Sequence, residues 1–314
     1  MHPAKSVIYF TIASGAGYGL FVMAWIFSSW LEVPPYHGLG LAIFGTSFFL
    51  IVTGLLASTL HLGHPERAWR AFSQWRSSWL SREGVASMVF FIPAGIYAWG
   101  WISEGVNTGA YQIIGGVAAF LALVTVFCTA KIYSTLKAIP AWHDPLTVPG
   151  YLLLSLLTGG VLFLPISQLW FLEAQPGLRL AVLFLNILAM GLKLIYWRGV
   201  KERSAVETAS SATGLKGKVT LLEGPHDQKN YLMKEMGFKI ARKHAGKIRA
   251  YALAFTFMMP FAVIILSPYG PPDYAFGLLT VAVFFTTIGI ALERWLFFAE
   301  AKHVVTLYYG EEKI

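Results

Sequence analysis

Charge is scarce in this sequence. Lysine, arginine, aspartate and glutamate make up 13% of its 314 residues, against about 25% in soluble globular chains, which excludes an ordinary water-soluble domain. Cysteine is scarcer still: Cys128 stands alone inside an apolar run. That excludes an internal disulfide and any iron–sulfur cluster ligated by this chain, which needs several thiolates. Cys128 reads as a small packing residue. Histidine is missing from the middle of every apolar run; His2, His37, His61, His64, His143, His226, His244 and His303 lie at ends or in loops. A membrane b-type haem needs axial ligands inside its helices, so no haem is expected. There is no phosphate-binding glycine loop, no clustered metal-ligand motif and no twin-arginine signal. The apolar run after MHPAKS is about 25 residues long, too long for a signal-peptide core, and is expected to remain as a span.

What is present is oil. The chain is 56% hydrophobic with a mean hydropathy of +0.60. Eight runs are long enough to cross a bilayer: 6–31, 39–60, 84–101, 110–130, 148–169, 177–197, 248–267 and 274–298. In lipid such runs must be helices, because an open strand would leave backbone groups unpaired. The expected fold is therefore an all-α integral membrane protein, a single domain over 1–314 built as a bundle of eight transmembrane helices. Trp30, Tyr36, Trp99, Trp101, Trp142, Tyr151, Trp170, Tyr196 and Trp197 stand near span ends, where interfacial aromatic belts are expected.

Basic residues set the orientation. Of the 24 lysines and arginines, all but Arg179 fall on one side: at the N-terminus, in the second–third and fourth–fifth connections, in the sixth–seventh connection counted with its flanking span ends from Lys193 to Arg249, or at the C-terminal end from Arg294 onward. The positive-inside rule places those segments and both termini in the cytoplasm. This distribution accounts for the net charge of +8 without nucleic acid. The opposite loops carry little beyond Glu32, Glu104, Glu173 and Asp273, so a soluble partner is expected on the basic face.

The long connection at about 198–247 opens with ERSAVETASSATGLKGK, small and polar, which reads as flexible. Farther on, Leu232, Met233, Met236 and Ile240 share one helical face among Lys234, Lys239, Arg242 and Lys243. That pattern suits either a surface helix on anionic lipid or a docking element for a soluble subunit.

Chemistry concentrates in 59–83, TLHLGHPERAWRAFSQWRSSWLSRE, a polar, aromatic loop between two apolar spans. His61 follows the second span, with Gly63 two residues on and Pro65 forcing a turn. Histidine titrates near pH 6.5, which suits proton exchange with a quinone carbonyl or quinol hydroxyl. Arg67 offers fixed donors to such an oxygen, and Glu83, opening the third span, offers a proton relay to water. The same residues would also serve as interfacial anchors, with Glu83 pairing Arg82. Glu293 and Arg294, late in the last span, are expected to pair or snorkel, and Lys193 to snorkel.

The stretch HLGHPERAW…WRSSWLSRE resembles the signature of membrane-anchor subunits of dimethyl sulfoxide reductase-type molybdoenzymes. The resemblance continues through TAKIYSTLKAIPAWHDPL, GPHDQKNYLMKEMGFKIARKHAGKIR and ERWLFFAEAKHVVTLYY. It implies a haem-free, eight-helix, non-catalytic anchor in a bacterial inner membrane. The implied partners are an iron–sulfur electron-transfer subunit and a molybdopterin catalytic subunit, which alone would carry those cofactors. The implied substrate is ubiquinone or menaquinone, with electrons and protons exchanged between the quinone pool and the nearest partner cluster. The family's quinol-binding residues correspond to His61, Gly63, Arg67 and Glu83, with Arg82, Ser81 and Trp79 as neighbours. In the reductase branch, which serves anaerobic respiration, the soluble subunits face the periplasm. Here the motif loop falls on the basic side, similar to the sulfite-oxidising branch, whose anchor passes electrons from cytoplasmic sulfite oxidation to quinone. The alternatives are a quinol-oxidising dimethyl sulfoxide reductase anchor, a tether without a quinone site and, in another class, a secondary transporter, which would need broken helices and midplane charges.

Overall fold

The computed structural model describes residues 4–30, 33–60, 64–171, 176–203, 208–220, 222–223 and 240–309. Eight helices among them are long and apolar enough to cross a membrane: α1 (Lys5–Trp30), α2 (His37–Thr59), α3 (Trp79–Trp99), α4 (Ala110–Ser134), α5 (Thr147–Gln168), α6 (Pro176–Arg203), α7 and α8 (Pro272–Ala299). The seventh is assembled from Ile240–Leu253, a π-helical turn Ala254–Met258 and Met259–Leu266. No β-strand occurs among the described residues. The chain is an all-α, multi-pass membrane protein.

The bundle is organised on α1 and α5, the two most enclosed spans. Helix α1 packs against α2, α4, α5 and α8, and α5 also meets α6. Lipid tails are as apolar as leucine, so close backbone approach and interhelical hydrogen bonds must hold such helices together. At the α1–α5 crossing the backbones nearly touch: a Cβ added to Gly19 would run into Ser155 O, and one on Gly159 into Gly19 C. Ser155 Oγ donates to Gly15 O at 2.6 Å, and Ser47 Oγ on α2 donates to Gly17 O at 2.8 Å.

Contacts between connections fix the two faces. On one, Val304 N donates to Ala138 O at 2.9 Å and Tyr308 Oη to Ala212 O at 3.0 Å, bringing together the fourth–fifth loop, the sixth–seventh connection and the C-terminal tail. This is the basic face. On the other, Asn107 Nδ2 donates to Val33 O at 2.9 Å and Tyr36 stacks at a tilt on Phe171, 5.8 Å between centroids.

Several sequence expectations change. Helix α3 begins at Trp79, five residues before the apolar run, because Ser78 caps it: its side chain accepts from Ser81 N at 3.4 Å. Trp79, Ser81, Arg82 and Glu83 are thus helical rather than loop residues. Helix α6 runs on to Arg203, and Ala209–Thr213 forms a short helix with a Thr208–Ser211 capping box inside the segment read as flexible. The amphipathic docking pattern at 232–236 lies outside the described residues. Among the aromatics, Trp30 and Trp99 are exposed, but Trp101, Trp142, Tyr151, Tyr196 and Trp197 are buried. They pack within the protein, and three of them set polar tips on backbone: Trp101 Nε1 donates to Tyr36 O at 3.3 Å, Trp142 Nε1 to Phe297 O at 2.7 Å and Tyr196 Oη to Ala141 O at 2.9 Å.

Candidate functional site

The stretch that carries the motif folds in three steps. His61 and Gly63 lie outside the described residues. Pro65–Gln74 then forms a 3-10 helix with proline in its first turn, where a missing N–H costs nothing. Its side chains point outward, including Trp69, and Trp75 beyond it is exposed as well. Phe72 lies over the start of α3, with its ring 3.0 Å from where a Cβ of Gly84 would stand.

Arg67 is exposed, and its ion-pair partner among the described residues is Glu66, with Nε 3.7 Å from Oε1. His64 Nδ1 approaches the same oxygen at 3.0 Å. Arg82 behaves differently. Its Nε donates to Trp75 O at 3.0 Å and its Nη2 to Arg76 O at 2.7 Å, while the guanidinium stacks 4.2 Å from the Trp79 ring centroid. Arg82 therefore ties the last turn of the loop to the first turn of α3 and does not pair with Glu83. Trp79 is held from the other side by Phe127, edge-on at 5.9 Å, and by Lys131 at 5.6 Å. Ser81 is buried beside the cap.

Glu83 points the other way, into the bundle. It is 4% exposed, and its Oε1 accepts a hydrogen bond from the Thr129 hydroxyl of α4. Thr129 Oγ1 also lies 3.1 Å from Thr125 O, one turn back. Tyr18 of α1, whose ring meets Phe90 edge-on at 5.1 Å, has a buried hydroxyl with no hydrogen-bond partner among the described residues. Helix α3 thus separates two chemistries: Trp79 and Arg82 serve the loop, and Glu83 serves the interior. Arg67 and Glu83 are not brought into contact as an ion pair.

The structure adds a cluster that sequence reasoning did not assemble. Lys193 on α6 does not snorkel; it is 4% exposed, and its Nζ stands 2.5 Å from Glu293 Oε1 on α8. Arg294 Nε lies 3.5 Å from Glu293 Oε2, and its guanidinium caps the Tyr151 ring at 3.8 Å. Nearer the basic face, Arg249 Nη2 of α7 pairs with Glu300 Oε1 at 2.8 Å. Burial raises the Glu300 carboxyl above the usual carboxylate range, and the Arg249 guanidinium opposes that shift. The sequence signal was three ionisable residues of complementary sign within apolar spans, each near the same end of its helix.

Eight spans, a polar loop tied to the third and a carboxylate turned inward define a polytopic membrane protein with basic and polar side chains gathered at one face. Its lineage is equally definite. Residues 1–310 match the DMSO reductase anchor subunit (DmsC) family, and the chain belongs to that family. It is 30% identical to a sulfite dehydrogenase subunit of Allochromatium vinosum across 98% of this chain and 99% of that protein. It is also similar to a polypeptide of the anaerobic dimethyl sulfoxide reductase of Escherichia coli, 26% identical over 44% of this chain and 50% of the relative. The corresponding polypeptide of Haemophilus influenzae is 24% identical over 49% and 54%, respectively.

Proposed function

We propose that this chain is the quinone-reactive anchor of a three-subunit molybdopterin and iron–sulfur oxidoreductase, passing electrons from sulfite oxidation in the cytoplasm to the quinone pool. The observation that carries the site is Glu83, a carboxylate buried one turn inside α3, directly behind the motif loop and partnered by Thr129. An intramembrane carboxylate is costly to keep and marks proton traffic. A bound quinone supplies two-electron, two-proton carrier chemistry. The residues of this chain do the rest. Glu83 exchanges a proton with the ring oxygen, His61 and Arg67 bond the oxygens from the loop, and Gly63 leaves room for the flat ring. Trp79, Ser81 and Arg82 hold the loop against α3. Docking of the iron–sulfur and molybdopterin subunits on the basic face brings the electrons within reach.

Two observations favour the sulfite branch: similarity to the sulfite dehydrogenase subunit extends over the whole chain, and the motif lies on the basic face. The second reading, a quinol-oxidising dimethyl sulfoxide reductase anchor in the inner membrane, draws on similarity over about half the chain. A secondary transporter is disfavoured by the depth of the buried charges, since Glu293 stands only six residues from the end of α8, about 9 Å of helix.

Purifying the tagged chain from native membranes tests the assembly: iron–sulfur and molybdopterin subunits accompany it on this account, whereas isolation of the chain alone as a solute carrier would overturn it. A reporter fused at the C-terminus separates the branches. Cytoplasmic activity supports the sulfite assignment and periplasmic activity removes it. His61→Ala, assayed with quinone and with a soluble dye, separates a quinone site from a mere tether.

A further inference from the structure

Lys193, Glu293 and Arg294 put two cations and one carboxylate inside the bundle, away from the loop that meets quinone. Their surroundings link them to Glu83. Two small cavities, each with room for about one water molecule, are both lined by Arg294. The first is lined by Thr129, Ser155, Thr158, Tyr151 and Arg294. The second is lined by Tyr151, Arg294, Lys193 and Tyr196. Thr129 donates to Glu83, so the first cavity begins at that carboxylate's own partner. Tyr151 borders both cavities, and its hydroxyl, in a residue 4% exposed, has no hydrogen-bond partner among the described residues. Beyond the cluster, Glu300, the C-terminal cap residue of α8, follows Glu293 by seven positions, about two helical turns, and meets Arg249 near the basic face.

We propose that Lys193 is a proton-exchanging group that refills Glu83 through Thr129, the Tyr151 hydroxyl and the two cavities. The inference rests on the quinone reading of Glu83. The unequal charges explain the choice of Lys193. An unbalanced cation is costly in a low-dielectric interior. When Lys193 gives up its proton, Glu293 and Arg294 remain as a neutral pair. Arginine does not titrate, whereas a buried lysine does so readily. Every proton is accounted for. Glu83 loses its O–H proton to a ring oxygen of quinone, whose electrons come from the partner iron–sulfur subunit. The Glu83 carboxylate takes a proton from Thr129, Thr129 from a cavity water, that water from Tyr151, Tyr151 from the second water, and the second water from the Lys193 ammonium. The Lys193 amine is reprotonated from the basic face past Glu300. Each relay group breaks one bond to hydrogen and forms one, one proton crosses from that face per cycle, and two cycles supply the two protons that quinone takes up with its two electrons. Quinol oxidation would run the same steps backwards. Among the described residues, the groups facing the cluster include Tyr133 from α4, which stacks on Tyr151, Tyr151 from α5, Tyr196 from α6 and, through Glu300, Arg249 from α7.

The test is turnover of the assembled complex in native membranes, with quinone and separately with a soluble dye that takes electrons from the partner subunits. Lys193→Met and Lys193→Arg are each expected to slow the quinone reaction about tenfold or more, with dye activity unchanged. Arginine keeps the charge and the ion pair, so full quinone activity in Lys193→Arg would overturn the relay and leave Lys193 a structural cation. Tyr151→Phe removes one relay hydroxyl and nothing else; it is expected to slow quinone turnover and enlarge the solvent deuterium isotope effect. If the lysine variants fail to assemble, Tyr151→Phe decides, and a wild-type rate and isotope effect in it overturn the proposal. Glu83→Gln run alongside separates the two ideas. If it is without effect, the quinone reading itself falls. If it blocks turnover while Lys193→Met and Tyr151→Phe do not, only the relay falls.

Discussion

The segment 64–82, the loop with the first turn of α3, and the cluster of Lys193, Glu293 and Arg294 both gather basic residues and glutamate near one face of the bundle, yet they treat charge in opposite ways. In the loop, His64, Glu66 and Arg67 pair in the open, and Arg70, Arg76 and Arg82 each lie over the adjacent or nearby tryptophan. Such pairs are worth about 0–1 kcal/mol each, so they orient the loop and leave its groups free to meet a ligand or partner. In the cluster the side chains of Lys193, Glu293 and Arg294 are at most 6% exposed. Removing one partner there strands charge in a dry interior. The loop leaves its charges open to solvent, whereas the cluster holds its buried charges against one another.

Breaking the buried side should have the largest consequence. Glu293→Leu leaves two cations without their carboxylate and should cost about 3–5 kcal/mol, read as a lowered thermal midpoint of the detergent-solubilised chain. Lys193→Met leaves Glu293 and Arg294 paired and should cost far less, so the two values measure the charge imbalance directly. At the α1–α5 crossing, Gly19→Val pushes a side chain into Ser155 O. The helices must separate, and the amount of folded chain recovered from membranes should fall severalfold. On the exposed side, Arg82→Gln removes the cation over Trp79 and two bonds to loop carbonyls. It should cost about 1–2 kcal/mol and make the bonds after Trp75 more open to limited proteolysis. Glu66→Gln should be smallest, within about 0.5 kcal/mol, without change in thermal midpoint.

The two regions also differ in how much of them the sequence reveals. The eight spans and the basic face were legible because hydropathy and the placement of lysine and arginine are properties of the chain itself. The start of α3 was hidden because Ser81, Arg82 and Glu83 are polar, and a hydropathy window stops before them. Their helical state depends on the Ser78 cap and on Arg82 folding back to the carbonyls of Trp75 and Arg76. Lys193 was read as a snorkelling residue because a single helix gives it no reason to turn inward. The reason is Glu293, a hundred residues away on α8, and complementary signs do not reveal which helices adjoin. Thr129 was concealed for the same cause: only the packing of α3 on α4 makes it the partner of Glu83. Buried aromatics such as Trp142 and Tyr196 mimic an interfacial belt in sequence, since both arrangements place an apolar ring and a polar tip near a helix end.

The central claim is that Glu83 exchanges protons with quinone from inside the bundle. Its most direct test is the rate of quinone turnover in membranes holding the assembled complex with Glu83→Gln, set against the rate with a soluble dye. Gln keeps the size and an acceptor for Thr129 but cannot pass a proton. The account predicts a loss of about a hundredfold or more with quinone and an unchanged dye rate; equal rates with quinone in the variant and the wild type would contradict it.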